Sequence, residues 1–352
     1  MNIEQLRNQI DQELSILVEK FCAELIELDP QLTQVAEALK DYLAEGKRFR
    51  SIFALIGYLG AGGELKPEIY RAAASLEFLQ SSALIHDDLM DGSDTRRGKP
   101  AIHKQFEKMH SAQFGSSAAI LIGDLALSWN ERALHESGIE VTAQIAVNPI
   151  HDVMRTELMA GQFLDVFEQT KSGSQSFSIE RSLKIARYKS GKYSIERPLH
   201  FGAALAMAGN PTNSRTLPEY LVIYSEFGLP LGEAFQLRDD LLGIYGDPVK
   251  TGKPAGDDLR EGKRTALIAY AYDRGNQEIK ALLEKKLGAD LDQSEIEELR
   301  NVILETGAVS HVEELISKLS KEALASIQRD ELTTESKQLL REMIDQVVNR
   351  TR

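Results

Sequence analysis

Apolar residues in this chain return at steps of three and four almost from end to end, a period that leaves room for little but helix. The first stripe, Ile3, Leu6, Ile10, Leu14, Leu17 and Phe21, is one face of an amphipathic helix that opens the sequence. Pro67 suits a first helical position and predicts a helix running to about Asp91. Ser294 and Glu297 read as a capping box ahead of Ile296, Leu299 and Ile303, with Gly307 as the stop. Strand-type alternation is scarce, so the fold class expected is all-α. The polar runs 171–176 and 210–214 are short enough for helix-to-helix loops. A single domain is therefore expected over 1–352. Its charge-rich helices, 276–352, should be structural, with solvated Glu and Lys faces.

Composition narrows the function classes. Hydrophobic residues at 42% and charged residues at 27% describe an ordinary globular protein. The net charge of −13 argues against nucleic acid or anionic membrane as partner, because phosphate surfaces repel it on average. Cys22 is the only cysteine, so neither an internal disulfide nor a thiolate metal cluster is expected, which fits a reducing cytoplasm. The start, Met1-Asn2-Ile3-Glu4-Gln5, lacks the basic opening and apolar core of a leader. No apolar run approaches the roughly 20 residues of a transmembrane helix.

Chemistry concentrates where long apolar helices end in aspartates. In Ser82-Ala83-Leu84-Ile85-His86-Asp87-Asp88-Leu89-Met90-Asp91, helical spacing puts Asp87 and Asp91 on one face, one turn apart. Like charges at that spacing, at a helix C-terminus, oppose both each other and the macrodipole, so a cation is called for. Carboxylates without His or Cys at ligand spacing suit Mg²⁺, which takes one or two of them and completes its shell with substrate phosphates. His86 points elsewhere on the helix and reads as structural. A solvated acidic helix end is the simpler account of the trio alone. Asp94, Arg96, Arg97, Gly98 and Lys99 follow in one short loop, however, and guanidinium groups there can hold phosphate bidentately.

The device returns in Phe235-Gln236-Leu237-Arg238-Asp239-Asp240. Beyond it come Lys250, Gly252-Lys253-Pro254-Ala255-Gly256-Asp257-Asp258 and Gly262-Lys263-Arg264. The Gly-Lys pairs lack the spacing of a phosphate-binding P-loop, which removes the main support for an ATPase. Gly46-Lys47-Arg48-Phe49-Arg50 precedes an apolar helix whose N-terminus could hold a second diphosphate.

Together these residues resemble the trans-polyprenyl diphosphate synthase family, in order from about 40 to 270. Asp87-Asp88-x-x-Asp91 with Arg96-Arg97-Gly98 looks like its first aspartate-rich motif. Gly46-Lys47-Arg48-x-Arg50 looks like its isopentenyl diphosphate motif, although Ser51 stands where proline is common. Gly161-Gln162-x-x-Asp165, Lys189-Ser190, Phe235-Gln236-x-x-Asp239-Asp240 and Gly252-Lys253 match further landmarks. The resemblance implies an isoprenoid synthase-like helical bundle around a deep central cavity, usually a homodimer. It implies Mg²⁺, three ions per site, held by Asp87, Asp91 and Asp239 with Asp88 and Asp240 supporting. Arg96, Lys189, Ser190, Gln236 and Lys253 would hold the allylic diphosphate. Lys47, Arg50, Gln80 and Arg97 would hold isopentenyl diphosphate. The alkene of the latter would attack the allylic cation, and departing pyrophosphate can take the final proton.

Two departures stand out. Gln80 occupies the place of a common histidine and brings a hydrogen bond without charge. Gly243 replaces the third aspartate of the second motif, which predicts weaker metal holding there; Asp247, two turns on, is a candidate substitute. The family's chain-length positions, fifth and fourth before the first motif, are Ser82 and Ala83, too small to stop a chain at fifteen carbons. Leu79 and Phe78, one turn farther up, would form a lower floor that favours geranylgeranyl diphosphate. A farnesyl or longer-chain synthase is the alternative product class. A non-catalytic partner subunit of a heteromeric synthase is the alternative of another kind, resting on Gly243 alone.

Overall fold

A computed structural model describes residues 1–349 except 172, 210–214, 249–255 and 329–330. The second loop expected from sequence, 210–214, and the candidate ligand Lys253 lie outside the described residues. The chain divides into two compact units, Met1–His151 with Pro198–Val222 and Asp330–Leu340, and Asp152–Arg197 with Ile223–Arg329 and Arg341–Arg352.

The helical period is realised throughout. In the first unit Asn2 caps α1 (Ile3–Leu28) through a capping box with Gln5, and the stripe Ile3 to Phe21 is buried. Then come α2 (Thr33–Ala44), α3 (Phe49–Gly60), α4 (Pro67–Asp91), α5 (Ile102–Glu107) and α6 (Ala112–His135). Pro67 sits in the first turn of α4, and Gly92 ends it at φ 68°, a conformation glycine adopts without cost. α4 packs along α6 and against α1, α3 and α5. The rings of Phe21, Phe78 and Trp129 meet there at centroid distances of 5.4–6.2 Å. The described strands are the two-residue β1 (Thr95–Arg96) and β2 (Lys99–Pro100), paired antiparallel.

α7 (Val141–Gln169), α8 (Ile179–Ala186), a π-helical segment (Arg187–Glu196), α9 (Arg197–Gly209) and α10 (Leu217–Tyr245) follow. α9 meets α3 at two glycines: a Cβ on Gly57 would lie 2.2 Å from the Leu199 carbonyl oxygen, and one on Gly202 would lie 1.8 Å from that of Ala54. In the second unit α10 packs its buried Ala234, Leu237, Leu241 and Ile244 into a core shared with the later helices. Those are α11 (Asp257–Arg260), α12 (Ala266–Arg274), α13 (Gln277–Lys286), α14 (Gln293–Glu305) and α15 (Ala308–Ser326), followed by α16 (Thr334–Val348), which belongs to the first unit up to Leu340 and to the second from Arg341.

One boundary differs from expectation. The capping box of α14 is Asp292 with Glu295, at 2.8 and 3.1 Å, one helical half-turn before Ser294 and Glu297. Both tetrapeptides fit the motif. Starting at Gln293 buries Leu291 just before the cap together with Ile296 in the first turn, a hydrophobic staple that the later start would lose. Gly307 follows α14 at φ 73°, as its place in the sequence predicts. No helix among the described residues is long and apolar enough to cross a membrane.

Candidate active site

The last turns of α4 present two faces of different depth. Ser81, Ser82, Ile85 and Asp88 are buried, whereas Gln80, Ala83, Asp87 and Asp91, at steps of three, four and four, form a half-buried stripe. The two outer aspartates of the motif therefore share one half-buried face, Asp91 with its carboxylate oxygens turned out of solvent, with Gln80 and Ala83 below them. Asp88 points inward instead, its side chain 1% exposed, and takes a forked hydrogen bond from Arg96, whose Nε lies 2.8 and 3.1 Å from the two carboxylate oxygens. Asp87 lies 3.8 Å from the same guanidinium. Burial works against the charge on Arg96, yet Asp88 more than compensates and raises its pKa above the ordinary value.

β1 and β2 turn through Arg97 and Gly98, at φ 54° and 76°, the pair of positive φ values that a type I′ turn needs. A non-glycine residue in that region is uncommon, and here it aims Arg97 at α2: Nη1 donates to the carbonyls of Tyr42 and Glu45 at 3.1 and 2.7 Å. Arg97 thereby reaches the Gly46-Lys47 loop, its Nη2 standing 3.6 Å from where a Gly46 Cβ would be. Burial lowers its pKa below the usual guanidinium range, as do the like charges of Arg96 and Arg48, while Tyr42 and Glu45 oppose the shift. A cation so placed gains from an anion.

Arg48, the middle of the basic cluster, has a different task. Among the described residues it is the other non-glycine residue at positive φ, 58°, and its 4% exposed side chain is held by Asp11 at 2.7 Å, Glu77 at 3.3 Å and the Leu43 carbonyl at 2.6 Å. It fastens the loop and leaves Lys47 and Arg50 to flank it at the start of α3. His86 reads as expected from sequence: its Nε2 lies 3.1 Å from the Ile120 carbonyl oxygen, against α6 at Gly123.

In the second unit Asp239 is half-buried and Asp240 is buried at the end of α10. Asp240 accepts from Gln236 Nε2 at 2.8 Å and from the Ala266 backbone N–H at 3.2 Å. Burial pushes its pKa up to about 8, with the charges of Asp258 and Asp239 adding and the two hydrogen bonds opposing. Gln236, assigned from sequence to substrate, is here the partner of Asp240. Lys189 and Ser190 stand on the π-helical segment, a geometry frequent at functional sites. Lys189 pairs with Asp165 at 2.6 Å. Gly161 makes that possible, since a Cβ there would come within 2.5 Å of the Lys189 backbone nitrogen. Asp247 is exposed beyond the end of α10.

The candidate ligands Asp87, Asp91 and Asp239 all offer carboxylate oxygen, the atom type that a hard divalent cation takes. Among the described residues no three carboxylates or imidazoles converge to hold an ion by themselves. Sequence reasoning missed Phe21 and Trp129 behind Phe78, because their meeting is tertiary. Asp258 was visible only as part of the acidic pair Asp257-Asp258 beyond the second motif, and its approach to Gly243 of α10 is likewise tertiary.

A family model described as polyprenyl synthetase matches residues 32–303. The chain is similar to a geranylfarnesyl diphosphate synthase of Aeropyrum pernix, 30% identical over 344 residues that span 96% of this chain and 100% of that protein. It is similar to a short chain isoprenyl diphosphate synthase of Methanocaldococcus jannaschii, 31% identical over 304 residues, 84% of this chain and 80% of that one. Among solved structures it is similar to a geranylgeranyl pyrophosphate synthase from Corynebacterium glutamicum complexed with isoprenyl diphosphate and magnesium. That structure gives a TM-score of 0.92 at 35% identity and covers 99% of this chain and 100% of its own.

Proposed function

The chain belongs to the polyprenyl synthetase family and is a prenyltransferase, and from that premise we infer that it adds isopentenyl diphosphate head-to-tail to allylic diphosphates and stops at geranylgeranyl diphosphate. The observation that carries this reading is the half-buried stripe Gln80, Ala83, Asp87 and Asp91, with Arg96 and Arg97 beside it on a strained hairpin. The family match runs through both compact units, which supports treating them as one catalytic domain.

Asp87 and Asp91, with Asp239, are the proposed ligands of three Mg²⁺ ions. When bound, the ions neutralise charge gathering on the departing pyrophosphate. Asp88 keeps Arg96 beside Asp87, where the guanidinium can follow the same charge. Lys189, Ser190, Gln236 and Lys253 complete the allylic diphosphate set. Lys47, Arg50 and Arg97 hold isopentenyl diphosphate as cations, and Gln80 does so by a hydrogen bond. Loss of pyrophosphate leaves an allylic cation, the alkene attacks it, and pyrophosphate takes the released proton. The cytoplasm is the proposed place of action, supported by the single, buried Cys22.

Product length follows the same stripe. Ala83 lies one turn below Asp87, and Leu79, 1% exposed, lies one turn below Ala83, about 6 Å farther along the helix. Phe78 backs this level against Phe21 and Trp129. A floor at that depth supports a twenty-carbon product. The similarity to a geranylfarnesyl diphosphate synthase favours twenty-five carbons as the second reading. Chromatography of the products from farnesyl and isopentenyl diphosphates decides between them: the first reading expects twenty carbons to dominate, and a dominant longer chain overturns it.

A homodimer is the proposed assembly. Leu121 on α6 and Val141, Ile145 and Phe163 on α7 are each about two-thirds exposed, which is unusual for large apolar side chains on helices. Sedimentation at micromolar concentration should give twice the mass of the 39.2 kDa chain; a monomer would contradict this.

A further inference from the structure

Burying a hydroxyl without a hydrogen bond costs free energy, so a hydroxyl kept that way beside charged groups calls for a reason. Tyr42, on the last turn of α2, carries one. Its Oη is out of contact with solvent and has no hydrogen-bond partner among the described residues. Arg97 holds its guanidinium over the Tyr42 ring, 5.6 Å from the centroid, and donates to the Tyr42 carbonyl at 3.1 Å. Burial and then the charge of Asp88 raise the phenol pKa well above its ordinary value, with Arg96 and Arg97 opposing and Asp87 adding. The hydroxyl therefore keeps its proton to donate, and it lies within the field of both arginines. Packing against Arg97 asks only for the ring, and a phenylalanine would supply that without burying an oxygen. A phosphate oxygen is the acceptor that this setting suits, since the two guanidinium groups already draw it and a phenol donates to it strongly.

We propose that Tyr42 is a further binding residue for isopentenyl diphosphate, its hydroxyl donating a hydrogen bond to a phosphate oxygen of that substrate. This deepens the synthase reading above and rests on it. The isopentenyl side is favoured because Arg97, not Arg96, stands on the ring and joins it to the Gly46-Lys47 loop. The diphosphate reaches the hydroxyl when Arg97 turns from the Glu45 carbonyl to meet it.

The test removes the hydroxyl and keeps the ring. Steady-state kinetics with Mg²⁺ and melting curves without substrate are compared for the full unchanged chain and Tyr42→Phe. The KM for isopentenyl diphosphate should rise about tenfold, the low end for loss of a hydrogen bond to a charged group. The KM for the allylic diphosphate should stay within about twofold. Tyr42→Phe should melt no lower than the unchanged protein, because a buried hydroxyl without a partner does not stabilise the fold. Weaker binding of one substrate without loss of stability is a combination that a packing role does not produce. An unchanged KM for isopentenyl diphosphate leaves the hydroxyl to water and overturns the assignment. An equal rise in both KM values overturns it too, as does a lower melting temperature or a failure to fold, which would tie the hydroxyl to the fold. If the unchanged protein releases no pyrophosphate from the two substrates, the synthase reading itself falls; failure of this inference alone leaves that release intact.

Discussion

Arg96 and Arg97 are adjacent in sequence and serve different ends. Arg96 turns inward to Asp88, and Arg97 turns outward across two carbonyls toward the Gly46-Lys47 loop. Asp88 has almost no access to solvent, and Arg96 has little. Removing one partner of such a pair leaves the other charge buried, which typically costs about 3–5 kcal/mol. Asp88→Ala should therefore lower the unfolding free energy by an amount near the low end of that range, read as a lower denaturant midpoint, since Asp87 stands within reach of the freed guanidinium. An unchanged midpoint would show that the pair is no structural tie. Arg48→Met should likewise cost stability of about 3 kcal/mol, because the buried Glu77 loses its cation while Asp11 keeps Arg7 at 3.7 Å. Thermal or chemical denaturation without substrate reads this directly.

Among elements, the π-helical segment and its glycine neighbours carry the most specific consequence. Gly161 on α7 touches the backbone of Lys189, and Gly232 on α10 touches that of Gly191, where a Cβ would come within 2.4 Å of a Cα. Backbone cannot yield as a flexible side chain can, so Gly161→Ala should destabilise by about 1–3 kcal/mol and move Lys189. In steady-state kinetics the KM for the allylic diphosphate should rise several-fold, with that for isopentenyl diphosphate nearly constant. Equal changes in both would contradict the placing of Lys189 on the allylic side.

The same elements show why some features are legible in sequence and others are not. Pro67 and Gly92 bracket α4 by local backbone chemistry, so its span and the spacing of Asp87 and Asp91 can be read in advance. Asp292 and Ser294 offer equally good local caps for α14, and only the burial of Leu291 chooses between them. Gln236 binds Asp240 one turn away and Asp258 comes to Gly243 from fifteen residues on, contacts that no local pattern announces.

For the whole molecule, the claim is that one helix both anchors the reaction and limits its product. Ser82 is buried in protein and Ala83 lies on the accessible stripe, so Ala83 is the better place to add bulk. Ala83→Phe should shorten the main product by one prenyl unit or more, as chromatography would show. The same product length would remove Ala83 from the path of the chain. The most direct measurement is pyrophosphate release by the purified protein given isopentenyl diphosphate with dimethylallyl, geranyl or farnesyl diphosphate, with Mg²⁺ or with a chelator. Release is expected with Mg²⁺ and not with the chelator, with at least a hundredfold loss in Asp87→Ala, on the order of what one transition-state electrostatic contact contributes. No release from any of the three primers would contradict this.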